Sequence, residues 1–69
     1  MKKALVTGAA RGIGLSIAQT LVGRGWQVAM LDIDGPAVSA AASGLAECIA
    51  IEADVGDPDQ VESARQRLA

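Results

Sequence analysis

The stretch Thr7-Gly8-Ala9-Ala10-Arg11-Gly12-Ile13-Gly14 limits what this chain can fold into more than any other, because its three glycines fall between an apolar run and a helical repeat. Upstream, Ala4 to Thr7 is a short apolar run that stops at glycine, the pattern of a buried strand. Downstream, Ile13, Ile17 and Leu21 recur at helical spacing, with Gly14 and Ala18 beside them. That predicts a helix with one apolar stripe. It should end near Gly23 or Gly25, where a residue without Cβ can take a left-handed cap.

The strand-then-helix alternation continues. Gln27 to Leu31 is a second apolar run and stops at Asp32. Asp34-Gly35-Pro36 reads as a turn into an Ala-rich helix from about Ala37 to Ser43, ended by Gly44. Cys48 to Ala53 is a third strand, stopping at Asp54. At Asp57-Pro58-Asp59-Gln60 three helix-start signals agree: a capping Asp57, Pro58 at the first helical position, and Gln60 placed for a capping box. The last helix should run from Pro58 toward Ala69. A βαβαβα order with this patterning implies an α/β fold, a parallel sheet with right-handed crossovers.

Composition narrows the function classes. Phe, Tyr and His are absent, and Trp26 is the single aromatic residue, so the core must be built from small aliphatic side chains. Such side chains suit helices packed tightly on a parallel sheet. The net charge is −2 and no cluster of Lys and Arg offers a nucleic-acid footprint. No run is long enough to span a membrane, and Lys2 and Lys3 precede too short an apolar stretch for a secretory signal. With Cys48 alone there is no disulfide framework, and without histidine a metal site lacks ligands. A cytoplasmic protein is expected, with neither nucleic acid nor membrane as partner.

The three glycines have separate physical jobs. Gly8 lets the chain leave the strand in a tight turn, Gly12 keeps the backbone open to a pyrophosphate, and Gly14 lets the helix lie close to the strand. The helix then aims its unpaired N–H groups at the phosphates. No Gly-Lys-Ser/Thr follows, so the phosphate loop of nucleotide triphosphatases does not fit. Asp32, at the end of the second strand, has the offset expected of a ribose-binding carboxylate. Asp34 reads instead as a helix-start residue.

Thr7-Gly8-x-x-x-Gly12-Ile13-Gly14, with Asp32 after the second strand and Asp54-Val55 after the third, resembles the short-chain dehydrogenases/reductases, and the resemblance extends over all 69 residues. It implies the N-terminal part (βαβαβα) of a Rossmann-type three-layer parallel sheet, so that residues 1–69 would be the first half of an NAD(P)-binding domain. By position, Gly8, Ala10, Arg11, Gly12, Ile13 and Gly14 would line the pyrophosphate and ribose. Asp32 would hold the adenosine ribose, Ile33 would flank the adenine, and Asp54 and Val55 would contact the adenine ring. The family's activity would be hydride transfer between nicotinamide and an alcohol or carbonyl substrate, in a protein that is commonly a homo-oligomer.

The chain also departs from the family. Members carry Asn-Ala-Gly after a fourth strand, a catalytic Ser and then Tyr-x-x-x-Lys; here there is no tyrosine, and Lys2 and Lys3 are the only lysines. Ser16, Ser39, Ser43 and Ser63 have no base beside them in sequence. No catalytic residue is therefore expected within these residues, and the segment by itself is expected to be inactive. On cofactor, two residues disagree: Arg11 suits the 2′-phosphate of NADP, whereas Asp32 would repel it. NAD is expected over NADP. A non-catalytic dinucleotide-binding module and a site for another adenosine ligand, such as S-adenosylmethionine, are the alternatives.

Overall fold

The structure is a computed structural model and describes residues 2–68. Met1 and Ala69, the latter the expected end of the last helix, lie outside the described residues. The element order is β1 (Lys3–Thr7), α1 (Gly12–Gly23), β2 (Gln27–Asp32), α2 (Gly35–Ala42), β3 (Cys48–Glu52) and α3 (Pro58–Leu68). The three strands are parallel in the order β1-β2-β3, with Thr7 opposite Leu31 and Asp32 opposite Glu52. All three strands therefore end on the same side of the sheet, and the loops after them converge there.

Period-two alternation in β2 builds the layers. Val28 and Met30 face the cluster that holds Val6, Ala18, Val38 and Ala42, from β1, α1 and α2. Ala29 and Leu31 face the opposite cluster, with Ile51, Ala53 and, from α3, Ala64. Four consecutive β2 residues, Val28 to Leu31, are almost wholly buried, as a strand covered on both faces requires. Alanines at 18, 42 and 64 let the helix axes come close to the sheet, the use that the aliphatic composition foreshadows.

Of four local expectations, three change and one holds. The stripe Ile13-Ile17 does not face the core: Ile13 is 81% and Ile17 47% exposed. Ala18 and Leu21 pack inward as expected, joined by Leu15 and Val22 in place of the two isoleucines. The reason lies at Gly14, where a Cβ would run into the Gly8 carbonyl. The bare glycine edge of the helix is thus pressed on the turn, and the two isoleucines roll outward. Second, the expected end of α1 holds: the helix stops at Gly23, and Gly25 takes the left-handed conformation at φ +84°. Third, α2 starts at Gly35 rather than Ala37, because the Asp34 carboxylate caps it by accepting from the Ala37 N–H at 3.1 Å. Fourth, β3 ends at Glu52 rather than Ala53, although the Ala53 N–H still donates to the Asp32 carbonyl at 3.1 Å.

Candidate dinucleotide-binding site

The glycine turn is set by its backbone. Gly8 and Gly12 have φ of +61° and +63°, a left-handed region costly for other residues. The Ala9 N–H donates to the Leu31 carbonyl at 3.0 Å, which anchors the turn to the end of β2. Beyond Gly12 the helix begins without a side-chain cap: Arg11 occupies the N-cap position in extended conformation, and its side chain makes no capping bond. Both other helices differ. The Asp34 carboxylate caps α2, and the Asp57 carboxylate accepts from the Asp59 N–H at 3.0 Å in the first turn of α3. The start of α1 therefore keeps N–H groups and a positive dipole end available to an anion.

Asp32 is tied down from two sides. Its Oδ2 accepts from the Ala10 N–H and its Oδ1 from the Asp34 N–H, both at 3.1 Å. These bonds, the one from Asp34 first and that from Ala10 second, lower its pKa below the ordinary value of 3.8. A carboxylate oxygen accepts more than one bond, so the oriented group can still receive hydroxyl donors.

Beside Asp32 lies an open groove of about 210 Å³ lined by Gly8, Asp32, Ile33, Ala53, Asp54 and Val55. Ile33 and Val55 are 69% and 54% exposed. Two large apolar side chains held in solvent around one groove form a slot suited to a flat, apolar-faced ring. The loop bearing Val55 is braced from within: the Asp54 N–H donates to Gln60 Oε1 at 2.8 Å, and Asp54 Oδ1 accepts from the Gly56 N–H at 2.9 Å. Gln60 thus reaches past Asp57 in a variant of the expected capping box, giving its amide N–H to Asp57 Oδ2 at 3.1 Å.

Of the residues singled out from sequence, Gly8, Asp32, Ile33, Asp54 and Val55 meet in this groove. Ala10 joins them through Asp32, and Gly12 opens the rim of the turn. Gly14 lies beneath, packed on Gly8 and Thr7 backbone atoms. Ile13 stands out in solvent, and Arg11 bonds through Nη2 to Asp34 Oδ2 at 3.0 Å. Sequence reasoning missed Ala53, a buried part of the groove wall. Its signal was a small residue where a strand gives way to the ligand side of the sheet.

A parallel sheet covered on both faces, with a glycine turn after its first strand, defines a Rossmann-type α/β fold. The short chain dehydrogenase family model matches residues 2–69, and the chain belongs to that family. It is 42% identical over 65 residues to the 1-deoxy-11-beta-hydroxypentalenate dehydrogenase of Streptomyces exfoliatus, covering 88% of this chain and 24% of that one. It is 47% identical over 64 residues to the galactitol 2-dehydrogenase of Agrobacterium fabrum, covering 90% and 25%. Among solved structures, a Burkholderia phymatum short chain dehydrogenase/reductase in complex with NAD superposes with a TM-score of 0.93 at 28% identity, covering 97% of this chain and 25% of that one. The 3-ketoacyl-(acyl-carrier-protein) reductase of Brucella melitensis complexed with NADH gives 0.90 at 28% identity, covering 97% and 28%. The chain spans about a quarter of the length of the curated relatives it matches. Among the described residues no helix is long and apolar enough to cross a membrane.

Proposed function

We propose that this segment holds the adenosine and pyrophosphate part of NAD(H), and that the whole protein is an oxidoreductase acting on an alcohol or carbonyl substrate. One observation carries this reading: the uncapped start of α1 and the oriented Asp32 carboxylate flank the same glycine turn, joined through the Ala10 N–H. Pyrophosphate suits the free N–H groups, and a ribose diol suits the carboxylate. Gly12 leaves the approach clear, since nothing lies within 4 Å of where its Cβ would be. Ile33 and Val55 hold the adenine between them, with Ala53 and Asp54 completing the groove. When bound, nicotinamide supplies the hydride acceptor or donor. These residues orient its adenosine end and leave the reacting end to the rest of the protein, including the family's Tyr and Lys. The family's usual oligomers make a homo-oligomer our expectation for the whole protein, and a cytoplasmic location is proposed with it.

Calorimetric titration of the full gene product with NAD, ADP-ribose and S-adenosylmethionine tests the reading. NAD and ADP-ribose should bind alike, and Asp32→Ala should weaken both about 10- to 100-fold, as the loss of charge-assisted hydrogen bonds predicts. Preference for S-adenosylmethionine would overturn it.

A further inference from the structure

The Arg11–Asp34 contact spans the rim of the same site. Asp32 Oδ1 takes the Asp34 N–H and Oδ2 takes the Ala10 N–H, so Asp34 itself bonds this carboxylate and Arg11 directly follows the other residue that does. A substituent on the ribose 2′-oxygen, with the diol at Asp32, would meet both. Neither Asp34 oxygen is idle: Oδ1 caps α2 through the Ala37 N–H at 3.1 Å, and Oδ2 accepts from Arg11 Nη2 at 3.0 Å. Exposed ion pairs are usually weak because two long, mobile side chains must be fixed together. Here one partner is already fixed by the helix it caps, so only the Arg11 side chain has to be ordered.

Resting on the dinucleotide reading above, we propose that Asp34 is a positioning residue that sets cofactor choice: it holds the Arg11 guanidinium in an internal pair and so denies it to the 2′-phosphate of NADP. Arg11, taken alone, is a feature suited to NADP; engaged by Asp34, it no longer opposes the preference of Asp32 for an unmodified ribose. The site discriminates through Asp32, which repels the phosphate, and through Asp34, which occupies the nearby cation.

The test is a double-mutant cycle on the full gene product, with NAD and NADP affinities measured by calorimetry. Asp34→Asn keeps a capping side chain of comparable quality, so α2 is preserved, and removes the charge that holds Arg11. It should raise the NADP:NAD affinity ratio by about two- to fivefold, the range expected for releasing an exposed ion pair. In an Arg11→Ala background the same substitution should leave the ratio unchanged. A purely structural role would move both cofactors together and leave the ratio flat, which would overturn the proposal. A rise that persists without Arg11 would overturn it too, since Asp34 would then act by direct repulsion. If the unmodified protein binds neither dinucleotide, the site reading itself fails; if it binds NAD and the ratio ignores Asp34→Asn, only the positioning role fails.

Discussion

The Ala10 N–H donates to Asp32 Oδ2 at 3.1 Å, joining two loops that are 22 residues apart in sequence. In the function proposed above, one loop offers N–H groups to a pyrophosphate and the other a carboxylate to a ribose. Their relative position is thus fixed before any ligand arrives, and little ordering remains to be done on binding.

The glycines should separate by substitution. In Gly14→Ala the new methyl meets the Gly8 carbonyl and Thr7 backbone atoms, which cannot swing aside. Overpacking of that kind costs about 1–3 kcal/mol. Gly12→Ala meets no atom within 4 Å but must hold φ near +63°. It should cost about 1–2 kcal/mol in stability. Its loss of NAD affinity should exceed what Gly14→Ala causes in whatever folded protein remains. Thermal melts alongside calorimetry check both; equal effects on binding would contradict the separate roles.

Gln60→Ala should loosen the loop that carries Val55. It strips the Asp54 N–H of its 2.8 Å acceptor and Asp57 of an amide donor. We expect about 0.5–1.5 kcal/mol of destabilisation, the net worth of a typical hydrogen bond. Amide exchange at Asp54 should accelerate more than exchange in β2. No change at Asp54 would show that water replaces Gln60 without cost.

Acid should weaken the fold at a predictable point. The pKa of Asp32 is lowered by the N–H groups of Asp34 and Ala10, that of Asp34 by Arg11 and then the Ala37 N–H, and that of Glu62 by the Arg65 guanidinium. A group with a depressed folded pKa contributes stability that is complete above its unfolded value and is lost as pH falls through the folded one. Those ordinary values are 3.8 for the aspartates and 4.5 for Glu62, so the loss begins near them and continues downward. Glu62 is exposed and the two aspartates are only half-buried, so the effect is modest. A melting temperature unaltered from about pH 6 to about pH 2 would refute the linkage.

Cys48 should be a sluggish nucleophile. Partial burial pushes its thiol above the ordinary 9.0. Reaction with iodoacetamide at neutral pH should run slower than for a free cysteine in the unfolded chain and rise steeply only in alkali. Labelling as fast as that of the unfolded chain would show the site to be open.

The order of elements was legible because each strand is a continuous apolar run ended by Gly or Asp, and each helix start carries a local signal. Asp34 and Asp57 announce themselves as caps because capping is a contact within one turn. Five of the groove residues were legible by position as well. What sequence could not reveal was rotation and partnership. Ile13 and Ile17 have ideal helical spacing, yet the orientation of α1 is decided by the absent side chain of Gly14 against Gly8, a contact between elements. The Arg11–Asp34 pair was hidden for the same reason, since its members come together only through β1–β2 registry. Ala53 was passed over because alanine carries no chemical label.

The central place of β2 in the ladder also has a consequence for how the chain folds. Among the described residues both neighbours bond only to it, and each pairing closes a loop containing one whole helix. Within this segment β1 and β3 meet only through Gln27–Asp32, so the β2 amides should be among the last of the described residues to exchange with solvent. On the ribosome, the β1–β2 unit with its glycine turn can assemble as soon as β2 has emerged, so the turn and Asp32 would be in place before the Asp54–Val55 side of the groove exists.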